Sequence, residues 1–138
     1  MTELSQPGEL TGVAKSLGIS RSSWGNGSSS YSLTITESLC NKGGVAFGGL
    51  HTVLLDMALG GGLVSVLPVA EWCATTALNT SFITPAHVGE TITATGRVVK
   101  RGRNVAHLAG EIKSESGRVI ATATGTWAIW QSKPDSMG

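Results

Sequence analysis

The sequence predicts a single-domain α+β fold in which an antiparallel sheet curls around one long helix. Two observations lead to this prediction: an apolar run of helical length at residues 47–67, and four strand-like segments after it. The apolar residues of the run fall on every side of a 3.6-residue period, so we expect a helix enclosed nearly all round. A chain of 138 residues is long enough for one core and too short for two.

The elements are expected in the order α-β-β-α-β-β-β-β. A short amphipathic helix is predicted to end at Gly18, and a hairpin follows around Gly25-Asn26-Gly27. After the long helix the apolar period changes to two, and the breaks contain Gly or Pro. These features predict antiparallel strands at 73–83, 91–100, 104–113 and 118–130. The domain is expected at 8–131, between a disordered lead-in at 1–7 and a disordered tail at 132–138.

The overall charge excludes some partners. A net charge of +1 gives no basic footprint for nucleic acid or an anionic membrane.

The sequence also bears on location. The apolar run has about the length of a membrane span, but Asp56 near its middle argues against insertion. No signal peptide is apparent, and the two cysteines lack metal-binding spacing, so we expect a cytoplasmic protein with reduced thiols. A charged share of only 14% suggests that some surface is buried between subunits.

Asp56 is the first candidate for chemistry. A carboxylate in apolar surroundings costs several kcal/mol unless it is paired, hydrogen-bonded or reached by solvent. On its face of the predicted helix lie Gly49, Thr52 and Gly60, small residues that leave space for a substrate. The alternatives are a buried aspartate bonded to a neighbouring strand, and a small-residue strip that packs closely against a strand or a second subunit.

Several motifs together resemble the hotdog-fold acyl-CoA thioesterases. The matching residues are Asn41…Phe47-Gly48-Gly49…Leu55-Asp56, Asn79-x-x-Phe82-x-x-Pro85-Ala86-x-x-Gly89-Glu90, Gly102-Arg103 and Gly117-Arg118…Ala121. The resemblance is strongest to the PaaI-like branch, which is related to 4-hydroxybenzoyl-CoA thioesterases. It implies a helix wrapped by an antiparallel sheet, homodimers that often pair into tetramers, and no metal. Coenzyme A would enter only as part of the substrate.

Thioester hydrolysis needs an activated water or a nucleophile, and donors for the charge that develops on the carbonyl oxygen. Backbone N–H groups at a helix start have no intrahelical acceptor, so Gly48 is a candidate oxyanion donor. The resemblance implies the same role for Gly48, and it makes Asp56 the general base or nucleophile. It also implies that Asn41 presents its amide to the thioester or the water, and that Thr75 positions the water. Without the resemblance, Asn41 would be a loop residue that bonds its own backbone, and Thr75 an ordinary strand residue with Thr76 adjacent.

One position departs from the family pattern, which usually has His immediately before the Gly-Gly pair. Here that residue is Phe47, predicted with Gly49, Thr52 and Gly60 to contact substrate. His51, one turn later, is a candidate substitute. The alternative is a histidine packed in the helix and satisfied by the backbone.

The coenzyme would need cationic contacts. Four basic residues lie within seven positions, namely Arg97, Lys100, Arg101 and Arg103. Such a run is usually a solvated hairpin. The resemblance implies instead that this turn meets the CoA phosphates, so Lys100, Arg101 and Arg103, with Pro85 of the second motif, are predicted CoA contacts.

Helix geometry adds a constraint. Gly48 and Asp56 are eight residues apart, which is about 12 Å along a helix with a rise of ~1.5 Å per residue. One thioester cannot contact both within one chain, so the sequence predicts a twofold dimer with shared sites.

The leading hypothesis is therefore hydrolysis of a small, medium-chain, aryl or arylacetyl acyl-CoA. One alternative is a non-catalytic acyl-CoA-binding or regulatory protein. Another is a hydratase or dehydratase, which would need His87 or His107 beside the carboxylate.

Overall fold

The computed structural model describes residues 2–137 and contains a short helix, a long helix and six strands. The helices are α1 (Gly12–Leu17) and α2 (Gly48–Val64). The strands are β1 (Ser20–Gly25), β2 (Ser28–Thr34), β3 (Trp72–Phe82), β4 (Thr91–Arg101), β5 (Val105–Ser114) and β6 (Val119–Trp130). Single 3₁₀ turns lie at Glu37–Leu39 and Asp135–Met137. The predicted elements and their order are confirmed.

All six strands form one antiparallel sheet in the order β1-β2-β4-β5-β6-β3. The sheet curls around α2, whose sheet-facing residues Leu54, Leu55, Ala58, Leu59 and Leu63 are fully buried. The helix passes closest to β4, where Gly96 faces the backbone of Ala58 and Leu59. The predicted fold, a sheet curled around one long helix, is confirmed. A single helix is sufficient here because it covers the apolar face of the curved sheet.

Helix α2 is shorter than the predicted 47–67. Its last turn tightens, with the N–H groups of Val66 and Leu67 donating to carbonyls three residues earlier. Ser65 follows the last helical residue, and its hydroxyl donates to the Gly62 carbonyl at 2.7 Å and accepts the N–H of Gly27 at 2.9 Å. The apolar run continues beyond the helix, and Leu67 is buried in the following turn.

The N-terminal segment differs from the predicted disordered lead-in. The Ser5 N–H donates to the Leu67 carbonyl, and the Val69 N–H donates to the Glu3 carbonyl, both at 2.9 Å. These bonds hold residues 3–5 against the turn after α2. Within residues 2–137, none of the helices has both the length and the apolar character needed to cross a bilayer.

Candidate active site

Asp56 lies half-buried on α2 and faces β3. The Thr75 hydroxyl donates a hydrogen bond of 2.7 Å to its Oδ1. The bond holds the carboxylate in one orientation and leaves Oδ2 without a partner among residues 2–137. Both side chains reach solvent, so the carboxylate is positioned on an open face of the helix.

A bulge in β3 decides which of two adjacent threonines meets Asp56. The register between β3 and β6 shifts between Thr75 and Ala77. As a result Thr75 turns towards the helix, while the Thr76 hydroxyl bonds the Thr126 carbonyl on β6 at 3.0 Å. Bulges re-aim side chains in this way. Sequence periodicity does not distinguish Thr75 from Thr76 as the partner of Asp56. In the structure the bulge directs Thr75 towards Asp56.

Two depressions meet at Asp56. One is a groove of about 650 Å³ between α2 and the segment that contains α1, lined by Thr52, Val53, Met57, Val13 and Leu78 among others. The other, about 350 Å³, extends towards the C-terminal half of α2 over Gly60 and Gly61. Thr52 and Gly60 of the predicted small-residue strip thus line open space on either side of the carboxylate.

The second depression is an aromatic pocket, formed by Trp24, Tyr31 and Trp127 around Met57 and Gly60. The Arg21 guanidinium packs against two of these rings, with its carbon 5.4 Å from the ring centre of Trp24 and 5.6 Å from that of Tyr31. No pattern in the sequence indicated this pocket. Its three rings come from β1, β2 and β6, and only the folded sheet brings them together.

Cys73 also lines the aromatic pocket. Burial, and then the nearby Asp56 carboxylate, raise the pKa of its thiol to about 11. The thiol therefore stays protonated at neutral pH and is a poor nucleophile. Asp56 is the other acidic side chain next to this pocket, and it carries the hydrogen bond from Thr75.

Gly48 begins α2 at the other end of the predicted site. It lines a separate cavity of about 290 Å³ with His51 and Phe82. The remaining lining residues precede α2 or follow β3, namely Val45, Ala46, Ile83, Thr84 and Pro85. Its N–H has no acceptor among residues 2–137. Gly48 and Asp56 line different cavities, so a single chain does not bring these predicted partners together.

Phe47 and Gly49 flank this helix start. The side chain of Phe47 is 59% exposed, and its ring lies over Gly49 so closely that a Cβ there would overlap it. Phe82 and Ile83, at the end of β3, are similarly exposed at 59% and 55%. The cavity at Gly48 therefore has an apolar, solvent-facing rim.

Asn41 bonds its own loop. In the orientation that satisfies its neighbours, the side-chain amide donates to the carbonyls of Val45 and Lys42, each at 2.9 Å. Both of its donors are then used, and only the carbonyl oxygen remains for a ligand. In this arrangement Asn41 can accept a hydrogen bond from water but cannot donate one to a thioester.

The predicted CoA contacts do not come together in one chain. Pro85 lies at the Gly48 end of the sheet, whereas Lys100, Arg101 and Arg103 lie around the far end of β4, an 11-residue strand. At ~3.3 Å per residue the two ends are about 33 Å apart. Arg101 also donates to Glu71 at 2.6 Å, and Arg97 pairs with Glu111, which leaves Lys100 and Arg103 as the cations of the run without an ion-pair partner among residues 2–137.

Arg118 is a basic residue near the Gly48 cavity that the sequence analysis gave no role. Its guanidinium contacts the Glu90 carboxylate at 2.8 Å and the Pro85 carbonyl at 3.1 Å. The His87 N–H, and then Arg118, lower the pKa of Glu90. These contacts brace the loop between β3 and β4. The Gly117-Arg118 motif was the signal that could have indicated this bracing role.

Histidines do not pair with Asp56. None of the described residues that line the two depressions at Asp56 is a histidine. His87 is exposed beside Glu90, His107 lies on the outer face of the sheet, and His51 lines the Gly48 cavity. The arrangement lacks the histidine–carboxylate pair that a hydratase would need.

One antiparallel sheet of six strands wrapped around a single long central helix defines a hotdog fold. The sequence model of the thioesterase superfamily matches residues 43–121. The chain therefore belongs to the thioesterase superfamily and is a thioester hydrolase.

Similar proteins agree with this membership. The Pseudomonas aeruginosa protein PA0474, which carries the name of an esterase, is 32% identical over 97 residues, or 70% of this chain and 72% of the relative. The PaaI protein of the Escherichia coli phenylacetic acid degradation operon superimposes with a TM-score of 0.76 at 27% identity, covering 83% and 86% of the two chains. A phenylacetic acid degradation-related protein of Ralstonia eutropha gives 0.79 at 30% identity, covering 88% and 92%. The predicted PaaI-like branch is confirmed.

Proposed function

We propose that two copies of this chain form a thioesterase dimer that hydrolyses arylacyl or arylacetyl esters of coenzyme A, with each site shared between the subunits. The observation that carries the proposal is the Asp56–Thr75 pair, a carboxylate oriented by a hydroxyl where two depressions meet. Such a carboxylate can accept the proton of an attacking water or attack the ester carbon itself. In the first route the water oxygen bonds to the ester carbon, the carbon–sulfur bond breaks, and Asp56 passes the proton of the water to the departing sulfur. In the second route Asp56 forms a mixed anhydride as the coenzyme A thiolate leaves; water then hydrolyses the anhydride, which releases the acid, frees Asp56 and supplies the proton for the thiolate.

The aromatic pocket supports the substrate class. It adjoins Asp56 and Thr75, and rings of Trp24, Tyr31 and Trp127 offer faces and edges to an aromatic acyl group. Its volume of about 350 Å³ lies at the small end of the range for ligand sites, which suits an aryl group better than a long chain. The phenylacetic acid degradation relatives are consistent with this choice.

The edge of the sheet supports a second copy. β3 is an edge strand of eleven residues that contains no proline and no charged residue. Edge strands of this kind pair readily with another chain. The exposed rings of Phe47 and Phe82 at the Gly48 cavity are a further apolar surface for a partner to cover.

The position of each half-site along β3 explains how the copies would share a site. Asp56 lies beside Thr75, whereas Gly48 lies beside Phe82, since a Cβ on Gly48 would be 3.3 Å from that ring. A twofold axis midway, near Leu78, would pair the two β3 strands antiparallel. It would then place Gly48 of the partner subunit beside Asp56.

In this dimer the roles follow from the free atoms. Asp56 activates water or attacks, the N–H of the partner's Gly48 binds the carbonyl oxygen, and the side-chain carbonyl oxygen of the partner's Asn41 accepts a hydrogen bond from the water. The proposed reaction uses only these groups, the ester and one water molecule. Lys100 and Arg103, at the end of β4 away from the Gly48 cavity, are the proposed contacts for the phosphates of coenzyme A. A cytoplasmic location is also proposed, because both cysteines are free thiols.

A thiol-release assay tests the proposed activity. We expect benzoyl- and phenylacetyl-CoA to be hydrolysed with kcat/KM about 10-fold or more above acetyl-CoA, because the apolar ring adds binding in the transition state. Release of coenzyme A is followed with a thiol reagent. Binding of every ester without release from any would contradict the proposal and indicate a non-catalytic acyl-CoA-binding protein.

Mixed dimers test the shared site. Gly48→Pro removes the N–H without straining the backbone, because proline suits the first helical position and Phe47 already has the extended φ and ψ of −60° and 130° that precede proline. We expect Gly48→Pro and Asp56→Asn dimers each to be inactive. A purified heterodimer of the two should regain about half of the wild-type activity, since one of its two sites is intact.

Gly48→Ala is the matched control for the mixed dimers, because it adds the same carbon next to Phe82 but keeps the N–H. Its dimer should remain active. An inactive heterodimer, with both parents correctly dimeric by light scattering, would show that the site lies within one chain.

A further inference from the structure

We propose that His51 is a second donor to the thioester carbonyl, acting beside Gly48 at the start of α2. The inference rests on the proposed function and adds a catalytic residue to it. Sequence reasoning left two possibilities for this histidine, a substrate contact or a packed residue satisfied by the backbone. The structure contradicts the second, because Nδ1 of His51 is buried and has no partner among residues 2–137.

The cavity at Gly48 offers few other polar atoms. It is lined by Val45, Ala46, Gly48, His51, Phe82, Ile83, Thr84 and Pro85. Thr84 is already committed, because its hydroxyl donates to the Val119 carbonyl at 2.7 Å. The His51 imidazole is the side chain of this lining whose hydrogen-bonding capacity is unused.

Keeping this imidazole costs stability. The side chain is 4% exposed and packs near Phe82, with the two ring centres 6.0 Å apart. A buried polar group without a partner destabilises the folded state. Burial also lowers the pKa of His51, so the ring is neutral at neutral pH and carries one N–H donor. Because Nδ1 is inaccessible, the N–H offered to a ligand in the cavity would be that of Nε2.

Helix geometry directs the ring towards the helix start. His51 is three residues after Gly48, and helical side chains incline towards the N-terminus. The imidazole and the unbonded N–H of Gly48 therefore face one cavity. Two convergent N–H donors suit a carbonyl oxygen that gains negative charge as the ester carbon is attacked. His51 would donate a hydrogen bond throughout and transfer no proton.

Two substitutions at position 51 test this role. His51→Leu should lower kcat for phenylacetyl-CoA about 100-fold, as expected for loss of one oxyanion donor, with KM changed only a few-fold. His51→Gln should restore part of kcat, because its amide can donate. The Tm of His51→Leu should equal or exceed that of the wild type, since leucine removes an unsatisfied buried nitrogen. His107→Leu, on the outer face of the sheet, is the control and should retain wild-type kcat.

Binding gives a readout that does not depend on turnover. In ¹⁵N-histidine-labelled Asp56→Asn protein, uncleaved phenylacetyl-CoA should shift the imidazole signals of His51 and leave those of His107 in place. Wild-type kcat in His51→Leu, or unshifted His51 signals with bound ester, would overturn the inference while leaving the proposed function intact. Absence of thiol release by the wild-type protein would instead refute the proposed function, and the labelled protein would still report whether His51 contacts the ester.

Discussion

Asp56→Asn is expected to lower kcat for arylacyl-CoA hydrolysis by about 10²- to 10⁴-fold, the range associated with loss of a general acid–base group. Asparagine has nearly the same shape, and its carbonyl can still accept the 2.7 Å hydrogen bond from Thr75. It can neither take a proton from water at neutral pH nor attack the ester. The fold and the affinity for the ester should therefore persist, as measured by calorimetric titration with the uncleaved substrate.

Glu111→Gln is the matched control for this variant. It is the same carboxylate-to-amide change, at a β5 residue paired with Arg97 at 3.2 Å on the sheet surface. Surface pairs of this kind contribute little, so its kcat should equal that of the wild type. Undiminished turnover in Asp56→Asn, with Glu111→Gln also unchanged, would remove Asp56 from the mechanism.

The second large effect is expected on stability, at Gly96. A Cβ at this position would overlap the backbone carbonyl of Ala58 and lie 2.5 Å from the Leu59 nitrogen. Neither backbone atom can move unless α2 shifts away from β4. We expect Gly96→Ala to reduce the free energy of unfolding by about 3 kcal/mol, the upper part of the usual range for overpacking, as measured by urea denaturation. Because α2 carries both Gly48 and Asp56, the remaining folded protein should also lose activity.

Gly8→Ala is the corresponding control, because no atom lies within 4 Å of the added carbon and the backbone there is not in the left-handed region. Its unfolding free energy should stay within about 0.5 kcal/mol of the wild type. A urea midpoint for Gly96→Ala equal to that of Gly8→Ala would show that α2 and β4 are not packed as closely as described.

Local patterning was sufficient to predict most of the fold. The strand periods placed β3 to β6 within two residues of their observed bounds, because alternation of apolar residues directly reflects which face of a strand is buried. The helix end was misplaced by three residues, since the apolar run continues into a buried turn. At this end Ser65 also bonds Gly27, 38 residues away in sequence, a contact that no local pattern contains.

The candidate site was predicted only in part. Asp56 stood out because a carboxylate within an apolar helix is costly, and Gly48 because a helix start leaves an N–H unbonded. The close approach at Gly96 was not predicted, since a glycine within a strand has several explanations. The motif did not predict that Asn41 uses both of its N–H donors within its own loop, because these bonds depend on the loop conformation.

The sequence by itself determined the order of elements, the family, and the one carboxylate on the central helix, because each of these depends on residue type and local spacing. Only the tertiary structure decided that Thr75 rather than Thr76 holds Asp56, that three distant aromatic rings form one pocket, and that His51 is buried without a partner. These features arise from strand register and from packing between segments far apart in the chain. Periodicity within a segment shows which face is buried, but it does not specify what that face will meet.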